Sequence, residues 1–165
     1  AQHDQLTSLP NRGLFHDRLR TALARARRDG HRLAVLYLDL DQFKAVNDHH
    51  GHGVGDLLLR EVAARIDQCL RESDTAGRVG GDEFVVLLND VGQADHAVAV
   101  ATKICAALRQ PFELAGCHLQ VSASIGIALY PDHGEDDKQL LRHADDAMYQ
   151  AKRQGGDRPL MSGAP

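Results

Sequence analysis

The sequence lacks a long hydrophobic run. No stretch of its 165 residues approaches the roughly 20 consecutive apolar residues that span a membrane, and no secretory leader is recognisable. We therefore expect no direct membrane contact in this segment, and any membrane anchor of a parent protein would lie outside it. Cysteines are also few, and Cys69, Cys105 and Cys117 show no CxxC spacing. Unpaired thiols without metal-binding spacing predict a reducing, cytoplasmic location.

An excess of positive charge is missing too. The chain carries 19 Lys and Arg against 23 Asp and Glu, for a formal net charge of −4. Nucleic-acid binding needs a broad basic face, so the composition argues against that partner, whereas a single nucleotide needs only a few placed charges. This length suits one globular domain. The chain begins at Ala1 without a methionine, and we expect a segment of a longer protein, with 1–154 as one domain and 155–165 as a flexible tail.

Apolar periodicity gives the order of elements. Helices are predicted over 12–28, 56–71, 94–108 and 137–153, with a short helix over 41–46 before a polar loop over 47–55. Strands are predicted over 33–39, in a hairpin over 78–88, in a second hairpin around Ala115-Gly116, and over 122–129. This order predicts an α+β fold whose βααββαβ core carries a mixed, mostly antiparallel sheet flanked by helices. Gly126 inside the last strand predicts a close approach by another backbone or a ligand.

A pair of acids follows two glycines in the segment Val79–Phe84. Successive glycines permit a tight reversal, because neither has a Cβ to oppose positive φ. The apolar run Phe84–Leu88 is typical of a buried strand. A hairpin here places Asp82 and Glu83 at its tip, where carboxylates beside a buried strand need a positive partner. Alone, such a pair would be explained as a solvated turn.

A second acidic strand end lies at Leu33–Asp41. Its apolar part looks like a central strand covered on both faces, and Asp39 and Asp41, two residues apart, share one face near its end. If this strand pairs with the hairpin, Asp39, Asp82 and Glu83 converge. Clustered carboxylates repel unless a cation binds, and a few hard oxygen ligands favour Mg²⁺ or Mn²⁺ together with substrate phosphates. The pattern therefore indicates metal-assisted phosphoryl or nucleotidyl transfer.

Further motifs follow one another along nearly the whole chain. They are Asp4-x-Leu6-Thr7-x-Leu9-Pro10-Asn11-Arg12, Asp39-x-Asp41-x-Phe43-Lys44-x-x-Asn47-Asp48, Gly51-His52, Gly55-Asp56, Ser124-Ile125-Gly126-Ile127-Ala128 and Ala144-Asp145-x-Ala147-Met148-Tyr149-x-Ala151-Lys152. With the intact Gly80–Phe84 motif, they resemble the GGDEF domain, the catalytic domain of diguanylate cyclases. The segments 9–15 and 124–131 resemble the type often joined to an EAL phosphodiesterase domain.

The resemblance implies a palm-like, ferredoxin-like fold and a reaction. Two GTP molecules, one on each subunit of a homodimer, would give cyclic di-GMP and pyrophosphate through attack of a 3′-hydroxyl on an α-phosphate. The implied cofactor is Mg²⁺ or Mn²⁺, and the implied catalytic residues are Asp82 and Glu83. The implied metal ligands are Asp39, the Leu40 carbonyl, Asp82 and Glu83.

Four residues are expected to hold the nucleotide. Lys44 suits phosphate oxygens, and the resemblance implies a phosphate contact for Lys152 in the last helix. Asn47 and Asp56 suit guanine, since a carboxylate accepts from both N1–H and N2–H₂, which adenine lacks. The alternatives are a solvated lysine for Lys44 and a helix N-cap for Asp56. The family's usual second cation, four residues after the lysine, is replaced here by Gly156, with Arg153 or Arg158 as candidates to compensate.

An RxxD sequence resembles the family's inhibitory product site. Arg71 and Asp74 are separated from Gly80 by the five residues 75–79. An arginine can fork onto a phosphate or the Hoogsteen edge of guanine, and an aspartate can accept from N1–H and N2–H₂. The alternative is an i,i+3 surface pair at a helix end, worth only about 0.2–0.5 kcal/mol.

Two other functions stay open at this point. Hybrids of this kind can carry a GGDEF part that binds GTP and regulates an attached EAL phosphodiesterase. The chain would also serve as a cyclic di-GMP receptor if only the Arg71 site were used. The expected partners are GTP, cyclic di-GMP, a second copy of the chain and other domains of a parent protein.

Overall fold

The structure is a computed structural model that describes residues 1–165. Five helices are present: α1 (Arg12–Asp29), α2 (Phe43–His50), α3 (His52–Gln68), α4 (Ala94–Arg109) and α5 (Asp137–Arg153). Seven strands are present: β1 (Leu33–Leu40), β2 (Thr75–Arg78), β3 (Glu83–Leu88), β4 (Phe112–Leu114), β5 (Cys117–Leu119), β6 (Ala123–Tyr130) and β7 (Arg158–Met161).

The central sheet has five strands in the order β2-β3-β1-β6-β7. Every pairing is antiparallel except that of β6 with β7, which is parallel. The short β4–β5 hairpin stands apart as a second sheet. The predicted α+β class with a mostly antiparallel, helix-flanked sheet is confirmed.

Both faces of the sheet are covered, which explains the unbroken apolar run of β1. Alternate residues of a strand point to opposite faces. Ala34, Leu36 and Leu38 join a cluster of 27 buried residues that includes side chains of α3 and α4. Val35 and Tyr37 join a second cluster of 13, which includes side chains of α1 and α5. A strand between two cores has no polar face until it ends, and β1 turns polar where its carboxylates begin.

Local signals fix the ends of the first helix. The Asn11 side chain caps the start of α1 by accepting from the Leu14 N–H, which satisfies one of the free donors of the first turn. Gly30 ends the helix in the left-handed region at φ 72°, and its N–H donates to the Ala26 carbonyl. These caps set the length of the helix and hence where β1 begins.

Gly126 lets α5 lie directly on β6. A Cβ built on Gly126 would come within 1.9 Å of the Ala144 carbonyl oxygen and 2.3 Å of the Met148 backbone nitrogen. Such distances are far inside van der Waals contact, so only glycine fits at this crossing. The predicted close approach is therefore a helix backbone, and it brings the end of α5 to the strands that carry the acids.

Two sequence predictions about local structure are wrong. The short helix runs from Phe43 to His50 rather than over 41–46, and α3 begins at His52, so the predicted loop 47–55 is helical apart from the break at Gly51. Gly51 takes φ 88°, and this single residue separates the two helices without a loop.

The predicted tail 155–165 is also partly ordered as a strand. Residues Arg158–Met161 form β7 at the edge of the sheet, where they pair with Ser124–Ile127 of β6. Glycines at 155 and 156 suggested a frayed end, but both make the turn that returns the chain to the sheet, at φ 113° and 73°.

None of the five helices combines the length and apolarity needed to cross a bilayer.

The Gly126 crossing predicts a stability effect. Gly126→Ala should lower the free energy of unfolding by about 3 kcal/mol, because α5 must move off the sheet to admit a methyl group. Urea unfolding followed by circular dichroism measures this. Gly53→Ala is the control, since no atom lies within 4 Å of a Cβ at that helical position, and there alanine should stabilise by about 0.5–1 kcal/mol. Equal effects of the two substitutions would contradict the packing argument.

Candidate active site

The register of β1 and β3 places two carboxylates opposite each other. Asp39 pairs directly with Glu83 across the two strands. Asp82 precedes Glu83 in the hairpin tip, and its carbonyl accepts from the Leu40 N–H at 3.4 Å. The structure thus brings together the three acids that the sequence expected to converge. Like charges directly opposite on a sheet are destabilising, so their surroundings must offset the repulsion.

The surroundings of Asp39 disfavour the charged form of its carboxylate. Its side chain is 18% exposed, and its Oδ1 is buried without a hydrogen-bond partner. Burial, with the neighbouring Asp82 carboxylate, raises the pKa of Asp39 to about 7. An unpaired buried carboxylate oxygen at the end of a strand is a position that a bound cation would stabilise.

Tyr37 supports Glu83 from the same strand as Asp39. Its hydroxyl donates to Glu83 Oε1 at 3.3 Å. Burial, together with the Glu83 charge, raises the pKa of Tyr37 to about 12, so the phenol keeps its proton and remains a donor. The contact holds one Glu83 oxygen and leaves the other free.

Lys152, in the last turn of α5, provides the cation at this site. Its Nζ lies 3.6 Å from Asp39 Oδ2, 3.4 Å from Asp41 Oδ1 and 3.3 Å from the Leu40 carbonyl oxygen. One ammonium group therefore contacts both aspartates and the backbone between them.

Asp41 shares the site but has a different environment from Asp39. Its carboxylate accepts from the hydroxyls of Ser122 and Ser124, from the Asp157 N–H at 3.0 Å and from Lys152. Burial alone would raise the pKa of Asp41, but these hydrogen bonds outweigh it and hold the pKa below the ordinary value. Asp41 is thus an ionised carboxylate whose oxygens are already occupied by protein donors.

The turn after α5 explains what stands in place of the usual second cation. Gly156 has φ 73°, and a Cβ there would lie 3.0 Å from the Asp41 carboxylate. The backbone N–H of the next residue, Asp157, donates to the Asp41 carboxylate. The Asp157 side chain forms an ion pair with Arg109 at 2.9 Å. Arg158 folds back so that its Nε donates to the Gly156 carbonyl at 2.9 Å. A side chain at 156 would crowd the Asp41 carboxylate and would need the positive φ that favours glycine. The turn also places the Arg158 guanidinium beside the Gly156 carbonyl.

The other residues that the sequence analysis expected to hold the nucleotide lie on α2 and α3. Gly55 makes room for Asn47, since a Cβ at Gly55 would lie 1.9 Å from Asn47 Oδ1. That oxygen is buried and has no hydrogen-bond partner. Lys44 and Asp56 are exposed on the two helices. Because α3 begins at His52, Asp56 lies inside the helix, and the N-cap interpretation is wrong.

The turn Arg71–Asp74, called the Arg71 turn below, makes more hydrogen bonds than a surface ion pair would. Asp74 is only 2% exposed. Its oxygens accept from the Arg71 backbone N–H, from the Arg71 guanidinium and from the Asn89 N–H. Arg71 is 51% exposed and also donates to the Asn89 carbonyl at 2.6 Å. A cavity of about 330 Å³ opens beside this turn, lined in part by Ser73 and Arg25.

Comparison with known proteins decides which family this architecture represents. The family described as diguanylate cyclase, GGDEF domain, matches residues 1–158. The chain belongs to the GGDEF family. The family that the motifs resembled is thereby confirmed.

Three proteins are similar to this chain over nearly its whole length. MucR of Pseudomonas aeruginosa, a bifunctional diguanylate cyclase/cyclic di-GMP phosphodiesterase, is 52% identical over 94% of this chain. The diguanylate cyclase TpbB of the same organism is 48% identical over 97%. Its solved GGDEF domain superposes with a TM-score of 0.95 at 46% identity, covering 97% of this chain and 94% of that one. An EAL/GGDEF domain protein of M. capsulatus has 47% identity and a TM-score of 0.80, covering 94% of this chain and 100% of that chain.

The chain spans only part of the curated relatives. It covers 22% of MucR and 37% of TpbB. The resemblance to the EAL-joined type is nevertheless confirmed by MucR and by the M. capsulatus protein.

Sequence reasoning missed the residues that support the GGDEF acids. Ser124, the only polar side chain among the fully buried residues, donates to Asp41, as does Ser122. Tyr37 and Asp157 were not singled out either. The available signal was a tyrosine two residues before Asp39, which the period of a strand places on the same face.

The raised pKa of Asp39 predicts a pH effect on the metal-free GGDEF domain. A carboxyl with a pKa of about 7 in the folded chain and near 3.8 in the unfolded chain binds its proton more tightly when folded. The free energy of unfolding should therefore fall as pH rises from about 4 to about 7.

Asp39→Asn should remove this fall and, above pH 7, stabilise the domain by about 1 kcal/mol after allowance for solvent screening. Urea unfolding in the presence of a chelator measures both slopes. Asp48→Asn, at an exposed position of α2, is the control and should keep the wild-type slope. A wild-type slope in Asp39→Asn would contradict the electrostatic description.

Proposed function

We propose that this GGDEF domain is a diguanylate cyclase that joins two GTP molecules into cyclic di-GMP and releases pyrophosphate. The observation that carries the proposal is the direct pairing of Asp39 with Glu83, next to Asp82 and Lys152. MucR and TpbB, whose names include diguanylate cyclase activity, support it.

The donor set fits a hard divalent cation, Mg²⁺ or Mn²⁺. Asp39 would offer its unpartnered Oδ1, Glu83 would offer the oxygen that Tyr37 leaves free, and Leu40, the residue after Asp39, would offer its carbonyl oxygen. No group of three or more acidic, His or Cys side chains is already arranged as a metal cage. We infer that phosphate oxygens supply the rest of the coordination shell. When bound, the cation would polarise the reacting phosphate and acidify the attacking hydroxyl.

The chain's own residues bind and orient the triphosphate. Lys152 on α5 and Lys44 on α2 supply positive charge. Helix α2 starts without a side-chain cap, so its first N–H groups are free for phosphate oxygens. The 3′-oxygen of one GTP forms the new bond to the α-phosphorus of the other as the bond to pyrophosphate breaks. Asp82 at the hairpin tip takes the hydroxyl proton, and Tyr37 keeps Glu83 in place.

Asn47 and Asp56 select guanine. The buried Asn47 amide oxygen lacks a partner, a situation that costs about 1–3 kcal/mol and that a base amino group would relieve. Asp56 directly follows Gly55, the glycine that accommodates Asn47, and its side chain is exposed. We infer that Asp56 and Asn47 contact the same base. Its carboxylate would accept from guanine N1–H and N2–H₂.

Each copy has one such site, so the reaction requires two copies that face each other. At low protein concentration the initial rate should then rise faster than linearly with concentration.

The Arg71 turn suits product inhibition, with a division of roles that differs from the sequence expectation. Asp74 is enclosed and holds Arg71, so Arg71 is the residue that offers donors to cyclic di-GMP. Arg25, which lines the neighbouring cavity, would add a second cation. The turn is fastened to Asn89 at the end of β3, the strand that begins with Glu83. A ligand here would therefore act on the hairpin through one strand.

A second candidate is a GTP-binding regulatory module without turnover. The observation that favours it is the turn at Gly156, which removes a phosphate cation. Detection of cyclic di-GMP formed from GTP and Mg²⁺ separates the two functions.

Glu83→Gln should lower turnover at least about 100-fold while the fold survives, because a neutral amide is a poor ligand for a hard cation. Chromatography of product formed from GTP and Mg²⁺ measures the rate. Glu135→Gln, at an exposed carboxylate, is the control and should keep the wild-type rate. Near-normal turnover in Glu83→Gln would refute the metal assignment, and absence of product from the wild type would favour the regulatory module.

Asp56→Ser should reduce the preference for GTP over ATP by about 10- to 100-fold, since guanine loses the acceptor for two donors. Competition binding with a labelled GTP analogue measures the ratio. Asp67→Ser changes an exposed acid of the same helix and should leave the ratio unchanged. Equal affinity of the wild type for ATP and GTP would show that Asp56 does not read the base.

Arg71→Ala should relieve inhibition by cyclic di-GMP without changing initial rates in its absence. Inhibition of the wild type should persist at high GTP, because the Arg71 turn is distinct from the acids. Steady-state kinetics with added product measure both effects, and Glu72→Ala, at the exposed neighbouring position, should stay inhibited. Inhibition that high GTP overcomes would place the product at the active site instead.

A further inference from the structure

Lys152 occupies a position that the proposed metal would need. Its Nζ lies 3.3 Å from the Leu40 carbonyl oxygen and 3.6 Å from Asp39 Oδ2. Both groups are donors that we assigned to the cation. The ammonium group thus contacts the Leu40 oxygen that we assigned to the ion, and it pairs with the Asp39 carboxylate through Oδ2, beside the Oδ1 that the ion would bind.

Asp41 is what keeps the ammonium group there. The lysine side chain is 27% exposed, and Asp41 is 11% exposed. Ser122, Ser124 and the Asp157 N–H fix the Asp41 carboxylate. Because these donors occupy Asp41, it would remain a fixed anion for Lys152 even when Asp39 is occupied by another cation.

A divalent ion bound to the Leu40 carbonyl and to Asp39 Oδ1 would lie next to the Lys152 ammonium group, which already contacts that carbonyl, and the two positive charges would repel. We propose that Lys152 is the resident counter-ion of the metal site, which a divalent cation displaces from Asp39 and the Leu40 carbonyl. The displaced ammonium group stays anchored by Asp41 and turns toward the phosphates of the nucleotide. This inference rests on the proposed function, specifically on Asp39 and the Leu40 carbonyl as metal donors.

Metal and nucleotide should therefore bind cooperatively. Without nucleotide, an incoming ion must break the contacts of Lys152 and then lie close to the displaced positive charge. When the nucleotide is bound, its negatively charged phosphates pair with the displaced Lys152 ammonium group, so the ion no longer faces an unpaired positive charge. By linkage, the nucleotide tightens metal binding by the same factor by which the metal tightens nucleotide binding.

Mn²⁺ binding in the absence of nucleotide tests the proposal, with free Mn²⁺ measured by electron paramagnetic resonance. Lys152→Met keeps a long unbranched side chain but removes the charge. It should bind Mn²⁺ about tenfold more tightly than the wild type, the factor that corresponds to one pK unit of interaction. Lys103→Met, on the exposed side of α4, makes the same substitution away from the site and should bind as the wild type does. Lys152→Gln, which keeps a polar end group, should change affinity in the same direction as Lys152→Met.

Asp39→Asn separates failure of this inference from failure of the proposed function. If Asp39→Asn binds Mn²⁺ as tightly as the wild type, the metal assignment itself is wrong. If Asp39→Asn loses Mn²⁺ while both Lys152 variants bind no more tightly than the wild type, the metal site stands and the counter-ion role of Lys152 is overturned. Circular dichroism of each variant establishes that the folded domain is compared.

Discussion

Repulsion between two carboxylates held face to face at the ends of central strands is the constraint on which this structure depends. Asp39 and Glu83 are opposite because β1 and β3 pair in a register fixed by two buried faces. A slip of one residue would turn every core side chain of a strand to the wrong face, so the hydrophobic pattern also fixes the acids. Burial that stabilises the sheet thus holds a repulsive pair in place.

The neighbouring groups are arranged to offset that repulsion. Tyr37 donates to one acid and Lys152 approaches the other. The two aspartates at the end of β1 differ in their contacts. The Asp41 carboxylate accepts hydrogen bonds from protein donors, whereas Asp39 keeps one oxygen without a partner. One carboxylate therefore organises the protein around the site, while the other remains available to a ligand.

The spacing of apolar residues, with the glycines that end helices and form turns, predicted most of the fold. The helix over 137–153 has the predicted bounds, and the helix predicted over 12–28 extends by one residue, to Asp29. The convergence of Asp39 with Asp82 and Glu83 also followed from strand patterns. The loop predicted over 47–55 was wrong because one glycine, Gly51, breaks the chain into two helices without additional residues.

Long-range contacts could not be read from local pattern. The hydrogen bond from Asp157 to Asp41 joins residues 116 positions apart, and no periodicity signals it. The enclosure of Asp74 depends likewise on Asn89, whose backbone reaches it only once β3 is in place. The role of Gly156 became clear only from its contact with Asp41, because a missing side chain indicates a departure from pattern but not what fills the space.

The strand β7 affects whether another chain can pair with the edge of the sheet. It lies at the margin of the sheet, where open backbone groups invite another chain to add a strand. The Ser162 N–H donates inward to the Ile127 carbonyl, and alternation along the strand turns the backbone nitrogen of Pro159 outward. Proline has no hydrogen on that nitrogen, so the outer border lacks a donor midway along its length. This border is thereby blunted against the edge-to-edge addition of a strand from another chain.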